Sequence, residues 1–436
     1  MKPVVSPPVD ESKLPNGVTV WMVQRPELPK VVLTLIARGG DSLDPASAPG
    51  LSRLMVRAMT QGTKTRSSRE LAEAAQAAGG DLAPTANQDA AQVSLAALSE
   101  HASDAVALIA DITQNAGFPE KEVDIAKSNM QDELRANEAR PEFLARRAWY
   151  QVTYGDHPYH IISATSGTLK AATPESLRAL YAQTFRPEQA LLLVVGSFDK
   201  KQLTAEIQKA FGTWKAGGPA PALAKEPEPK PDHKIYYVER EGSVQTTMLI
   251  GATAPTLRDP ERPYLRLANI IYGGSFGSRL IRNIREDKGY TYSPRSFMDT
   301  LRWSGAVITS EDVRNAVTGP SLNETFKELK TISTEPPSAL ELDQAKTFLM
   351  GNTALQLQSQ SSVAALLGRY WVVGVPANHL TEEMAAVQKA SLDQVSQAAN
   401  HYLAPARMTV VAVGEKSVIL EQLKPFGMQI LPAPAP

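Results

Sequence analysis

Two stretches 218 residues apart, FRPEQALLLVVG (185–196) and LAPARMTVVAVG (403–414), align without a gap. Each has an apolar residue, a proline two positions later, then a buried-type strand closing on glycine. A second pair lies upstream. LTLIARGGDSLDP (33–45) parallels MLIGATAPTLRDP (248–260) at an offset of 215, both running from a strand through small residues to Asp-Pro. Two ordered matches at nearly one offset mark an internal duplication. The segment between the copies, KAGGPAPALAKEPEPKPDHK (215–234), is rich in Pro, Ala, Lys and Glu and reads as an extended, semi-rigid linker. The expected organisation is a first domain over 12–214, the linker over 215–234, and a second domain over 235–431.

Each half mixes strands and helices. Apolar, β-branched runs predict strands at 18–24, 31–38, 91–98 and 189–195, and in the second half near 235–239, 245–252, 304–310 and 408–413. Helical periodicity predicts helices at 49–60, 67–79, 101–115, 119–138 and 175–184. The second half repeats them near 260–272, 277–287, 317–330, 339–357 and 382–402. Ser67 and Thr173 stand where N-caps belong, and Pro174 takes the first helical position. Long helices between strands that mostly do not form βαβ units imply an α+β class: two homologous domains, each a mostly antiparallel sheet with helices packed on one face.

The chain has 436 residues, 43% hydrophobic and 21% charged, an ordinary globular composition. With 45 basic against 46 acidic residues, its net charge of -1 excludes a nucleic-acid binder that relies on a large positive field. Cysteine is absent, so no disulfide, thiolate zinc site or cysteine nucleophile exists. No apolar run reaches the ~18 residues of a membrane span. The Pro-rich start, MKPVVSPPVDESKLPNG, lacks a signal-peptide h-region and resembles the spacer left after signal cleavage, which favours an exported, signal-trimmed protein (periplasmic, if bacterial) over a cytoplasmic one.

The order of LPNGVTVWMV (14–23), QGTKTRSS (61–68), AAGGDL (77–82), GDHPYH (155–160), FRPEQALLLVVGSFD (185–199) and YGGSFGSRLIRNIREDKGYTYS (272–293) resembles the two-domain insulinase/pitrilysin-type zinc peptidases. That group contains mitochondrial processing peptidase and its bacterial relatives. Its catalytic members carry an inverted zinc motif, H-x-x-E-H, on the helix matching GLSRLMVRAMTQGT (50–63). The three motif positions are here Arg53, Val56 and Arg57. Arginine offers a metal no lone pair and stays protonated, and valine accepts no proton. The family's third ligand, a glutamate on a later helix, corresponds to Glu133, 76 positions after Arg57. Metal is therefore not expected in this chain, and Glu133 is expected to pair with Arg53 or Arg57. In GGDLAPTANQD (79–89), Ala83-Pro84 stands where catalytic relatives have Asn-Ala on the edge strand that receives substrate, and proline removes a ladder donor. His157 and His160 have ligand-like spacing, but Pro158 between them argues for a structural loop.

The second half keeps other family residues. Arg285 and Tyr292, seven apart, match an arginine and tyrosine that the resemblance implies bind the substrate backbone and stabilise the oxyanion at a facing zinc site. Gly273 and Gly274 precede them in a glycine-rich turn and are candidate substrate-binding positions; with Gly277 they allow close backbone approach. Lost zinc ligands beside a retained Arg/Tyr pair imply a non-catalytic subunit of a heterodimeric metallopeptidase. Its expected partner is a homologous catalytic chain with an intact H-x-x-E-H, which would hold the zinc, and its substrates are peptides or unfolded segments. The alternative is a pseudopeptidase that acts only as a scaffold or peptide-binding module.

Overall fold

The computed structural model describes residues 3–228 and 232–434. The first sheet contains β1 (Asp10–Lys13), β2 (Thr19–Gln24), β3 (Lys30–Arg38), β4 (Leu82–Ala86), β5 (Ala90–Leu98) and β6 (Ala190–Gly196), in the order β1-β2-β6-β3-β5-β4. The second contains β7 (Lys234–Glu239), β8 (Gln245–Ala254), β9 (Arg295–Thr300), β10 (Gly305–Arg314), β11 (Thr409–Gly414) and β12 (Gln429–Pro432), in the order β12-β7-β11-β8-β10-β9. Five strands of each sheet correspond. β2–β6 and β7–β11 are parallel, and the strands beyond them run antiparallel. The sixth strand differs: β1 arrives from the N-terminal side and pairs antiparallel with β2, whereas β12 arrives from the C-terminal side and pairs parallel with β7. The class is thus α+β with two homologous, mostly antiparallel sheets.

The repeated motif becomes the sheet centre. β6 and β11 are buried at every position, which is why both read as unbroken apolar runs rather than alternations. The helices α1 (Leu51–Met59), α2 (Ser68–Ala77), α3 (Ala102–Asn115) and α4 (Glu120–Glu138) belong to the layer over one face of the first sheet. Ser67 and Glu70 form a reciprocal capping box at α2.

The opposite face is where expectation and structure part. It is covered by a helix from the other half. Helix α5 (Pro141–Tyr154) leaves the first half and packs on β8 and β11, and the helix Gln360–Val373 leaves the second half and packs on β3 and β6. Neither helix follows from the sequence pattern, because each is apolar on faces that meet a sheet its own half does not supply. Their contacts invert one another. Trp149 of α5, fully buried, lies over Gly251 of β8; a Cβ on Gly251 would stand 3.1 Å from the indole. At the equivalent place Gly368 sits over Ile36 of β3, and a Cβ there would meet Ile36 Cδ1 at 2.5 Å. Ile36 and Gly251 are equivalent strand positions, opposite Leu191 and Thr409. Large-on-helix against small-on-strand at one seam becomes small-on-helix against large-on-strand at the other.

Polar contacts lock the same seam. Tyr159 of GDHPYH is fully buried, donates to Asp89 Oδ1 at 2.7 Å and accepts from the Trp303 amide at 3.1 Å. Asp89 Oδ2 accepts from the Arg302 amide at 2.7 Å, and Asp299 accepts from the Tyr150 hydroxyl. The linker over 215–228 has no regular element; Arg186 donates to the carbonyls of Gly217 and Gly218, both at 2.8 Å. Residues 229–231 of the expected linker lie outside the described residues. Predicted helix 382–402 is two helices, His379–Lys389 and Leu392–Leu403, because Ser391 caps a new start with Gln394. The helix predicted at 260–272 is α-helical over Arg262–Asn269, then widens into a π-helical turn, Ile270–Gly274; a second π segment is Ile281–Asp287.

Candidate functional site

Helix α1 begins at Gly50, whose φ of 79° is left-handed and whose missing Cβ would strike the Ala164 backbone at 2.3 Å. Asp44 caps the start, accepting from the amides of Gly50 and Ser52 at 2.6 and 2.8 Å and from the Ser52 hydroxyl at 2.6 Å. Burial and the neighbouring Asp41 charge push the Asp44 carboxyl up to about 7. The three motif positions point into a cleft of about 260 Å³ that Pro84, Met130 and Glu133 also line. Arg53 reaches Asp41 through Nη2 at 2.6 Å and Nε at 3.0 Å. Arg57 reaches Glu133 of α4 at 2.7 Å. Val56 is buried between them.

These residues do not fit zinc. Both positions that would supply imidazoles hold guanidinium groups engaged with carboxylates, and the remaining carboxylate is one of those partners. Among the described residues no three His, Cys, Asp or Glu side chains gather as a metal site. The Arg53 partner, Asp41, was not singled out from the sequence. It is fully buried, and burial raises its carboxyl while Arg53 opposes the shift. Its signal lies in RGGDSLDP, where two glycines, both at positive φ, bend the chain so that Asp41 turns inward below α1. Pro84 sits in β4, the outer edge of the first sheet, opposite Val93.

His157 uses both ring nitrogens within the loop. Nδ1 accepts from the Tyr159 amide at 3.2 Å, and Nε2 donates to the linker carbonyl of Lys225 at 2.9 Å. His160 Nδ1 donates to the His157 carbonyl at 2.8 Å.

Arg285 lies on the π-helical segment Ile281–Asp287. That segment is held from behind by Asn283, whose Nδ2 donates to Glu324 at 2.9 Å and Glu328 at 2.7 Å. The guanidinium carbon sits 4.8 Å from the Tyr292 ring centroid and 4.7 Å from that of Phe276. Tyr292 is 80% exposed and Phe276 66%. Among the described residues Arg285 has no carboxylate partner. Neither Arg285 nor Tyr292 lines the cleft at α1. Gly273 is buried, and a Cβ on it would fall 2.8 Å from Ser296 Cβ, so its small size serves packing against β9. Gly274 lines a separate cleft of the second half.

Comparison with known proteins identifies the family. The sequence profile described as Insulinase (Peptidase family M16) matches residues 19–165, and that described as Peptidase M16 inactive domain matches 171–349. An uncharacterized zinc protease, YmxG, of Bacillus subtilis is 26% identical over 384 residues, 87% of this chain and 92% of that protein. A non-peptidase homolog of Helicobacter pylori is 22% identical over 377 residues, 85% of each chain. The crystal structure of a peptidase M16 inactive domain from Pseudomonas fluorescens superposes with a TM-score of 0.87 at 25% identity, covering 94% of this chain and 98% of that one. The fold also matches a protease from Helicobacter pylori, TM-score 0.84 at 17% identity, over 94% and 100% of the two chains. The chain belongs to the insulinase (M16) family of peptidases.

Proposed function

We propose that this chain is the non-catalytic subunit of a two-chain metallopeptidase and completes the active site of a homologous catalytic partner. The observation that carries the reading is Arg285: a guanidinium without a carboxylate partner among the described residues, against two exposed rings, on a segment tied down by Asn283. A guanidinium held toward solvent is preorganised for negative charge that arrives from outside.

Metal chemistry would belong to the partner. This chain would supply two donors, the Arg285 guanidinium and the Tyr292 hydroxyl, to a scissile carbonyl whose oxygen gains charge as it becomes tetrahedral. The cleft at α1 contributes no water-activating group, since its charges are already paired. Peptide hydrolysis measured for this chain, for a homologous chain with an intact H-x-x-E-H, and for their mixture tests the reading. Each alone should be nearly inert. Arg285→Ala or Tyr292→Phe should lower turnover of the mixture by about 10²–10³-fold. Full activity of the partner alone, or of the mutant mixture, overturns the proposal and leaves the scaffold reading.

A further inference from the structure

The duplication gives the cleft at α1 a counterpart. In the second half the helix Arg262–Asn269 and its π-helical continuation occupy the place of α1, β9 occupies that of β4, and the helix Ala339–Gln356 occupies that of α4. Arg266, Asn269 and Ile270 stand where Arg53, Val56 and Arg57 stand, and Asn352 stands where Glu133 does. The counterpart cleft is larger, about 460 Å³.

The charge accounts of the two clefts differ. In the first half Arg53 has Asp41 and Arg57 has Glu133. In the second, Arg266 is paired with the buried Glu383 at 2.6 Å, but two further guanidinium groups line the same space. Arg262 is 6% exposed and donates to the Pro255 carbonyl at 2.7 Å and to Thr300 Oγ1; among the described residues it has no carboxylate partner and its Nε no acceptor. Arg369 is exposed and has no hydrogen-bond or ion-pair partner among the described residues. The buried Tyr370 hydroxyl, on the same wall, also lacks a partner. Burial lowers the Arg262 guanidinium to about 10, with Arg266 and Arg369 adding to the push and Glu383 opposing it. Donors and positive charge exceed acceptors. Leu349, Leu366 and Leu380 supply an apolar wall beside them.

We infer that this cleft binds a carboxylate carried on an apolar body, as presented by the C-terminus of a peptide whose last side chain is apolar. Arg369 and the positive field of Arg262 would hold the carboxylate, and the leucines would take the side chain. A metal ion or a cationic ligand would meet like charge there. The inference is independent of pairing with a catalytic chain, because binding is a property of this chain alone.

Isothermal titration calorimetry of the full chain tests it with a short peptide ending in Leu-Leu as the free acid, the same peptide amidated, and octanoate. The free acid should bind, and amidation should weaken binding roughly ten-fold or more by removing a charge-assisted contact. Arg369→Gln should produce a similar loss and erase the difference between acid and amide. Arg369 has no partner to lose, so this variant should keep the wild-type unfolding temperature. Octanoate competing with the peptide supports the pairing of carboxylate and apolar wall. Octanoate binding while the free-acid peptide does not assigns the cleft to a small carboxylate and overturns the peptide terminus. Equal binding of acid and amide, no binding of either, or no effect of Arg369→Gln overturns the inference altogether.

Discussion

Asp41 gives one carboxylate oxygen to Arg53, and the other, Oδ1, has no donor among the described residues in a fully buried place. A half-satisfied buried charge depends heavily on its one partner. Asp41→Asn should cost about 2–4 kcal/mol, below the loss for a fully interior pair because Arg53 remains partly exposed. The Arg57–Glu133 pair has side chains 37% and 55% exposed, so Glu133→Gln should cost less than about 1 kcal/mol. Chemical denaturation of both variants checks the contrast, and equal losses would refute it. Asp44 adds a pH dependence. Its carboxyl titrates near 7 in the folded chain against 3.8 when unperturbed, so the folded state keeps that proton over the interval between. Its contribution is full below about 3.8 and is lost as pH rises through about 7. Asp44→Asn should therefore flatten the fall in unfolding free energy between pH 5 and pH 8; an unchanged slope would exclude Asp44 as its source. The ionisable residues at α1 were only partly legible in the sequence. Arg53, Arg57 and Glu133 stand at motif spacing, whereas Asp41 meets Arg53 only because a glycine pair turns the chain back beneath the helix.

At the scale of elements, the central strands and most helices of each half's own layer follow from local pattern, whereas the helices Ser166–Ala171, Lys200–Phe211 and Lys416–Leu423 do not stand out from it. β6 and β11 are apolar throughout, and the α2 cap is written in Ser67 and Glu70. The edge strands β1, β4, β9 and β12 do not stand out. β1, β9 and β12 show no alternation of buried and exposed positions, and β4, which alternates, spans five residues with a proline at its centre. The two exchanged helices were hidden for another reason. Their apolar residues answer to a sheet far away in the chain, and no periodicity within a half reveals which surface they will meet. The inverted packing at the two seams makes a test. Gly368→Leu should overpack against Ile36 and destabilise by about 1–3 kcal/mol. Adding Ile36→Ala should restore at least about 1 kcal/mol, because the new side chain fills the space the isoleucine leaves. Additive losses in the double variant would show that the two positions do not share that space.

Across the whole molecule, duplication produced two architecturally equivalent clefts that then diverged. One is closed by two ion pairs; the other keeps two arginines, Arg262 and Arg369, without a carboxylate partner among the described residues, beside an apolar wall. Arg285 and Tyr292 belong to neither, and stand on an exposed face. Residue identity at fixed spacing was enough for the repeat and the fold class, and it put Arg53, Val56, Arg57, Arg285 and Tyr292 where the family resemblance implies the zinc motif and the oxyanion donors. The tertiary structure alone decided which carboxylate answers which arginine, which helix covers which sheet, and which cleft keeps an unbalanced charge. Those depend on contacts between residues far apart in the chain, and local periodicity does not encode what a side chain will face once two halves close on each other.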